Sequence, residues 1–221
     1  MFKELKSLFQ KGNLLQQSYN DCSDMLATDL SMFLESIRSL REAEDAVLAF
    51  DIYEKDKLIN AFERETRRRV LTHLSVAGPA ELPMGIKLIS IVVDIERIGD
   101  YTKNIVELAQ NHPTRLDADQ FENALLGIEL AVKESFTCMV NTFSEQDEEC
   151  ARQVMHRHQK EVASVSDRIM GDMIQGQIGG LEISSALTLV IYMRYLKRVS
   201  SHLKNIATSI VNPIDRIGYV E

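Results

Sequence analysis

Glu96 and Asp100 are the two side chains whose types and spacing most directly suggest chemistry. In the run Ile91 to Asn111, IVVDIERIGDYTKNIVELAQN, they stand four residues apart. At 100° per residue they stack one turn apart on a helix, with Lys103 and Glu107 within about 60° of them. Like charges at that spacing repel by about 0.2–0.5 kcal/mol. A hard cation taking oxygens from both is one way to neutralise them, and the ammonium of Lys103, one turn on, is the other. A second set, Asp56, Asn60, Glu63 and Arg67, shares one flank of an earlier helical pattern. Each acid there can equally be a surface carboxylate paired with an arginine, Arg67 being one turn from Glu63.

These residues need helices to position them, and the apolar spacing supplies six. Leu88, Ile91, Ile95, Ile98, Ile105 and Ala109 recur at three- and four-residue steps, placing Glu96 and Asp100 roughly opposite a core-facing seam. This third helix is predicted from about Glu81 to Asn111, ended by Asn111-His112-Pro113. Before it, Leu26, Leu30, Phe33, Ile37 and Leu40 mark a helix from Leu14 to about Arg41, and Ile52, Ile59, Phe62, Thr66, Val70 and Leu74 mark a second from Asp51 to Leu74. After it come a helix through Phe121, Leu125, Ile128, Val132, Phe136, Met139 and Phe143, one from about Glu145 to Ile174, and one from about Leu181 to Val211. Residues 1–13 form a separate amphipathic segment, with Phe2, Leu5, Leu8 and Phe9 on one face, which covers its own bundle or docks on a membrane surface or a partner.

The two glycine-containing hinges, Gly78 and Gly179-Gly180, suggest a duplication, with residues 14–112 as the first copy and 113–221 as the second. A shift of 101 residues lays Leu88, Ile91, Ile95, Ile98, Ile105 and Ala109 on Leu189, Tyr192, Leu196, Val199, Ile206 and Ile210, and Lys103-Asn104-Ile105 on an identical Lys204-Asn205-Ile206. The expected fold is therefore all-α: two tandem antiparallel three-helix repeats, spectrin-repeat-like, related by a pseudo-two-fold and forming one six-helix bundle.

The run Glu96 to Asp100, ERIGD, followed by Lys103-Asn104-Ile105 and Glu107, resembles the signature helix of PhoU-type proteins, and the tandem repeat extends the resemblance over nearly the whole chain. The resemblance implies a non-catalytic regulator of phosphate uptake, whose E-x-x-x-D motifs hold iron, zinc or similar ions. Because the family's cluster draws on two helices, it makes Asp56 and Glu63 candidate ligands beside Glu96 and Asp100, with Asn60 a weaker one. The partners it implies are the ATPase of a phosphate-importing ABC transporter, a membrane-bound sensor histidine kinase, or another phosphate carrier. Membrane association would then be peripheral, through those partners, and a homodimer is compatible with all of these.

The second copy departs from the pattern. Glu96 is matched by Lys197, Asp100 by Ser201 and Glu107 by Thr208, and a shift of 103 places Gln159, Ala163 and Ser166 against Asp56, Asn60 and Glu63. Metal binding is thus expected in the first copy alone. Arg194, Lys197 and Lys204 make the second patch cationic, which reads as a resident ammonium, an acidic partner's footprint or a solvated basic face.

Composition narrows the remaining classes. The chain has 221 residues, 45% hydrophobic and 26% charged, with only 4 Pro and 10 Gly, which favours long helices. A formal charge of −8 argues against nucleic acid as the main partner. Cys22, Cys138 and Cys150 are odd in number and far apart, so no disulfide is expected and the chain reads as reduced and cytoplasmic. No apolar run approaches the ~20 residues that span a bilayer, and no signal peptide is visible. A di-iron carboxylate enzyme needs Glu-x-x-His pairs, and no Glu here is followed by His three residues later. No Ser-His-Asp, P-loop or glycine-rich phosphate cradle is apparent, which leaves a metal-free helical adaptor as the main alternative.

Overall fold

Asp51 begins the second helix of this chain as a side-chain cap, its Oδ1 accepting from the backbone N–H groups of Tyr53 and Glu54 at 2.9 and 3.2 Å. Comparable local signals set the other boundaries in the computed structural model, which describes residues 14–43, 47–112, 114–145, 147–177 and 179–219. The helices are α1 (Leu14–Ile37), α2 (Ile52–Val76), α3 (Leu82–Asn111), α4 (Glu122–Glu145), α5 (Glu148–Arg157), α6 (Ser164–Ile174) and α7 (Ile183–Val211). A proline in the first turn of α3 costs no helical hydrogen bond, and Asp147 caps α5 through Cys150 N–H. Gly176 and Gly179, at φ of +85° and +64°, turn the chain from α6 into α7. The amphipathic segment 1–13 lies outside the described residues.

Two departures from regular helix matter later. α1 ends in a π-helical stretch, Arg38–Glu42, and a second, His158–Ala163, joins α5 to α6 in one continuous rod. Counting that rod once leaves six long helices among the described residues, which contain no strand. The fifth helix thus starts at Glu148, not Glu145, and carries an interruption that periodicity did not reveal.

α1, α2 and α3 pack against one another, as do α4, the α5–α6 rod and α7, and the two units join through α3 against α7 and α1 against α4. One continuous apolar core runs through both, with Ile95 and Leu196, a pair matched by the repeat, each fully buried. At the join, Tyr101 and His202, matched by the 101-residue shift, stack with ring centroids 5.7 Å apart. Arg41 also crosses between the units. Its Nε lies 3.1 Å from Glu129 Oε1, other guanidinium nitrogens donate to Glu122 and to the Leu116 carbonyl, and Tyr192 donates to the same Glu129 oxygen at 2.8 Å.

The expectation of unpaired cysteines is corrected. Cys138 near the end of α4 and Cys150 in the first turn of α5 form a disulfide, with Cα atoms 5.8 Å apart. They stand twelve residues apart in sequence, but the reversal between the two helices brings them level. Cys22 is free and fully buried.

Candidate metal site

Gly99 lets three helices of the first unit meet closely. A Cβ at this position would stand 3.0 Å from Asp29 Oδ1 on α1 and 3.2 Å from Ile59 Cδ1 on α2, so only a bare backbone leaves room for that acid beside α3. Asp29 is fully buried, and neither of its carboxylate oxygens has a hydrogen-bond partner. Burial, and then the charges of Asp56, Glu96 and Asp100, hold its carboxyl well above the usual carboxylate range.

The sequence candidates gather around it. Asp56 on α2 and Asp100 on α3 share one cation, Lys103 Nζ, at 3.0 and 3.1 Å. Asn60 donates to the same Asp56 oxygen, Oδ2, at 3.2 Å. Arg97 lies 3.1 Å from Asp100 and 3.4 Å from Glu96 Oε2, yet that Glu96 oxygen is buried and accepts no hydrogen bond. Burial raises the Glu96 carboxyl, aided by Asp100 and opposed by Arg97, with smaller pushes from Glu63 and Asp56. Glu63 pairs with Arg67 at 2.8 Å, the arrangement expected of an ordinary helix-surface acid. Glu107 faces elsewhere, with Tyr53 Oη 3.4 Å away.

All four proposed ligands therefore fall in one region, lodged between helices and not opposite the core as helical spacing implied. As placed, they do not converge: among the described residues no three His, Cys, Asp or Glu side chains are grouped to hold a single ion. Lys103 occupies the position between Asp56 and Asp100. The donor chemistry nevertheless fits a hard cation, since five carboxylates share the region and three of their oxygens, two on Asp29 and one on Glu96, are buried without a partner. Asp29 escaped the sequence reading because it sits on the apolar seam itself, between Leu26 and Phe33. An acid on a core face was the signal that could have found it.

The second unit differs from the expected match. The π-helical stretch His158–Ala163 adds a residue to the rod, so His158, not Gln159, takes the place of Asp56. Its Nδ1 lies 3.1 Å from Ser200 Oγ, and Ser200 is the counterpart of Gly99. Burial, then Lys204 and Lys197, opposed by Asp167, lower the His158 imidazole to about 4. An acid also persists here: Asp167 Oδ1 pairs with Lys197 Nζ at 2.5 Å. Lys204 turns toward the C-terminal segment and donates to Gly218 O at 2.5 Å. Of the three cations expected to form a basic face, Arg194 is exposed, whereas Lys197 and Lys204 are half-buried.

Residues 22–109 match the family model of the PhoU domain. This stretch is similar to the PhoU domain. Asp29, Asp56, Glu63, Glu96 and Asp100 all lie within it. Two solved structures share the fold of about nine-tenths of the chain. PhoU from Pseudomonas aeruginosa has a TM-score of 0.76 at 22% identity, covering 91% of this chain and 97% of that one. The phosphate transport system regulatory protein PhoU from Streptococcus pneumoniae has a TM-score of 0.68 at 19% identity, covering 89% and 91%. No curated protein matches the sequence.

Proposed function

We propose that this protein regulates phosphate transport as a metal-binding helical adaptor, without catalysing a reaction. The observation that carries the metal part is Asp29, a fully buried carboxylate whose two oxygens have no hydrogen-bond partner and whose carboxyl is raised by the charges of Asp56, Glu96 and Asp100 after burial itself. A divalent or trivalent ion such as iron or zinc, held by Asp29, Glu96 and Asp100 with Asp56 and Glu63, would offset their mutual repulsion and displace the Lys103 ammonium. Such an ion supplies positive charge and cross-links three helices of the PhoU domain. The regulatory part rests on the similarity to the PhoU domain and on the Streptococcus protein being a phosphate transport system regulatory protein. Its partners are the ATPase of a phosphate ABC transporter, a membrane sensor histidine kinase or another phosphate carrier. Arg194, with Lys197 and Lys204, is the candidate contact.

A second reading has its own support. Lys103 already neutralises Asp56 and Asp100, so a metal-free adaptor would use that ammonium as its resident cation. One measurement separates these readings, and a second tests the partner contact. Chelator should lower the melting temperature of the metal-binding form and leave the metal-free form unchanged. Immobilised protein should recover phosphate-transporter or kinase components from membranes of its source cells at low ionic strength, less at high, and less again with Arg194→Glu. Equal recovery with and without that charge reversal would contradict the contact.

A further inference from the structure

The pair Cys138 and Cys150 has a chemistry that the acid cluster does not use. We propose that these two residues form a reversible thiol–disulfide couple that sets how firmly the α5–α6 rod is fastened to α4. The backbone supports closure, since a Cα separation of 5.8 Å lies in the range a disulfide spans without moving either helix. The two sulfurs differ in access. Cys138 is 7% exposed, whereas Cys150, in the first turn of α5, is half-buried. Cys22 serves as an internal control: it is fully buried, and burial pushes its thiol up to about 12, so it forms little thiolate at neutral pH.

The oxidant is a low-molecular-weight disulfide of the glutathione class. The Cys150 thiolate attacks one sulfur, the small disulfide's S–S bond breaks, and one small thiolate leaves. The Cys138 thiolate then attacks Cys150 Sγ, expelling the second small thiolate and closing the internal bond. Two protein thiols lose two electrons and two protons. The small disulfide takes the electrons, and its two thiolates take the protons. Excess small thiol runs the same steps backward. Closure ties down the start of the rod two turns ahead of His158, the residue that stands where the first unit has Asp56. Oxidation therefore stiffens the unit that lacks the acid cluster and leaves the PhoU domain's carboxylates untouched.

The test equilibrates the purified full chain in stepped ratios of reduced to oxidised glutathione, blocks free thiols under denaturing conditions and reads intact mass and mapped peptides. The reduced end should label all three cysteines and the oxidised end Cys22 alone, with reversal on returning to reducing buffer. Oxidised protein should melt several degrees above reduced protein, and the difference should vanish in Cys138→Ser and in Cys150→Ser. The proposal is overturned by three labelled thiols at every ratio, by glutathione accumulating on Cys150 without internal closure, by a bond that excess thiol cannot open in the folded chain, or by equal melting of the two forms.

Discussion

Asp29 is the residue whose ionisation bears most on the stability of the first unit. Its folded carboxyl lies well above the ordinary value of 3.8, so the native chain binds that proton more tightly than the unfolded chain does. Without a bound cation, stability should therefore fall as pH rises from about 4 toward the folded value and stay low above it. Asp29→Asn removes the charge and should raise the neutral-pH stability of the metal-free protein by about 1–3 kcal/mol, the cost of an unsatisfied buried group. A urea titration at several pH values would show the gain shrinking toward acid. His158 gives the opposite dependence. Its folded value, about 4 against 6.5 for the free imidazole, means the unfolded chain takes up the proton first, so stability is lost as pH falls from 6.5 to about 4. His158→Gln should recover about 1–2 kcal/mol at pH 4, after allowance for solvent screening at a half-buried site, with no change at pH 8. Glu96 and Asp100 were legible in the sequence because the helical period stacks like charges. Asp29 was not, because a seam position is read for core.

Among the helices, the close approach of α1, α2 and α3 depends on Gly99. Gly99→Ala would gain about 1 kcal/mol of helix propensity, yet its Cβ would stand 3.0 Å from Asp29 Oδ1 and 3.2 Å from Ile59 Cδ1. The crowding should win, for a net loss of about 1–2 kcal/mol in chemical denaturation together with reduced metal retention. A gain in stability would mean that α1 and α3 are not held at this spacing. The seams placed the other helices correctly, since Ile95 and Leu196 recur at the same point of the two copies and both are buried. Periodicity failed at the π-helical stretch, where one added residue moves His158 into the place expected of Gln159. The cysteine pair escaped for another reason: distance along the chain hides two residues that a helix reversal brings level.

Across the whole molecule, the two units are bound by contact between α3 and α7, where Asp94 Oδ1 lies 2.7 Å from His202 Nδ1 and accepts from Asn205 at 2.9 Å, and by a buried ionic network around Arg41. Arg41, 7% exposed at its side chain, serves Glu122, Glu129 and the Leu116 carbonyl. Burial raises the Glu129 carboxyl, while Arg41 and Tyr192 draw it back down. Arg41→Met would leave that carboxylate buried with a single neutral donor and should cost about 3–5 kcal/mol. Unfolding should remain a single transition because one core spans both units. A separate early transition of the second unit would show that the halves fold independently. The helical spacing made the all-α bundle legible, but the crossing arginine carries no spacing signal and had to be seen in three dimensions.

The central claim, that the first unit's acids hold a metal ion which the second unit has lost the means to hold, is tested most directly by elemental analysis of the purified chain after dialysis. Wild-type protein should retain iron, zinc or a similar ion close to one equivalent or more per chain, as expected of carboxylates gathered from three helices. Glu96→Gln with Asp100→Asn should lose it, whereas Lys197→Gln with Ser201→Ala should not. Wild-type protein free of metal after exposure to these ions, or a doubly neutralised variant with a full complement, would contradict the account.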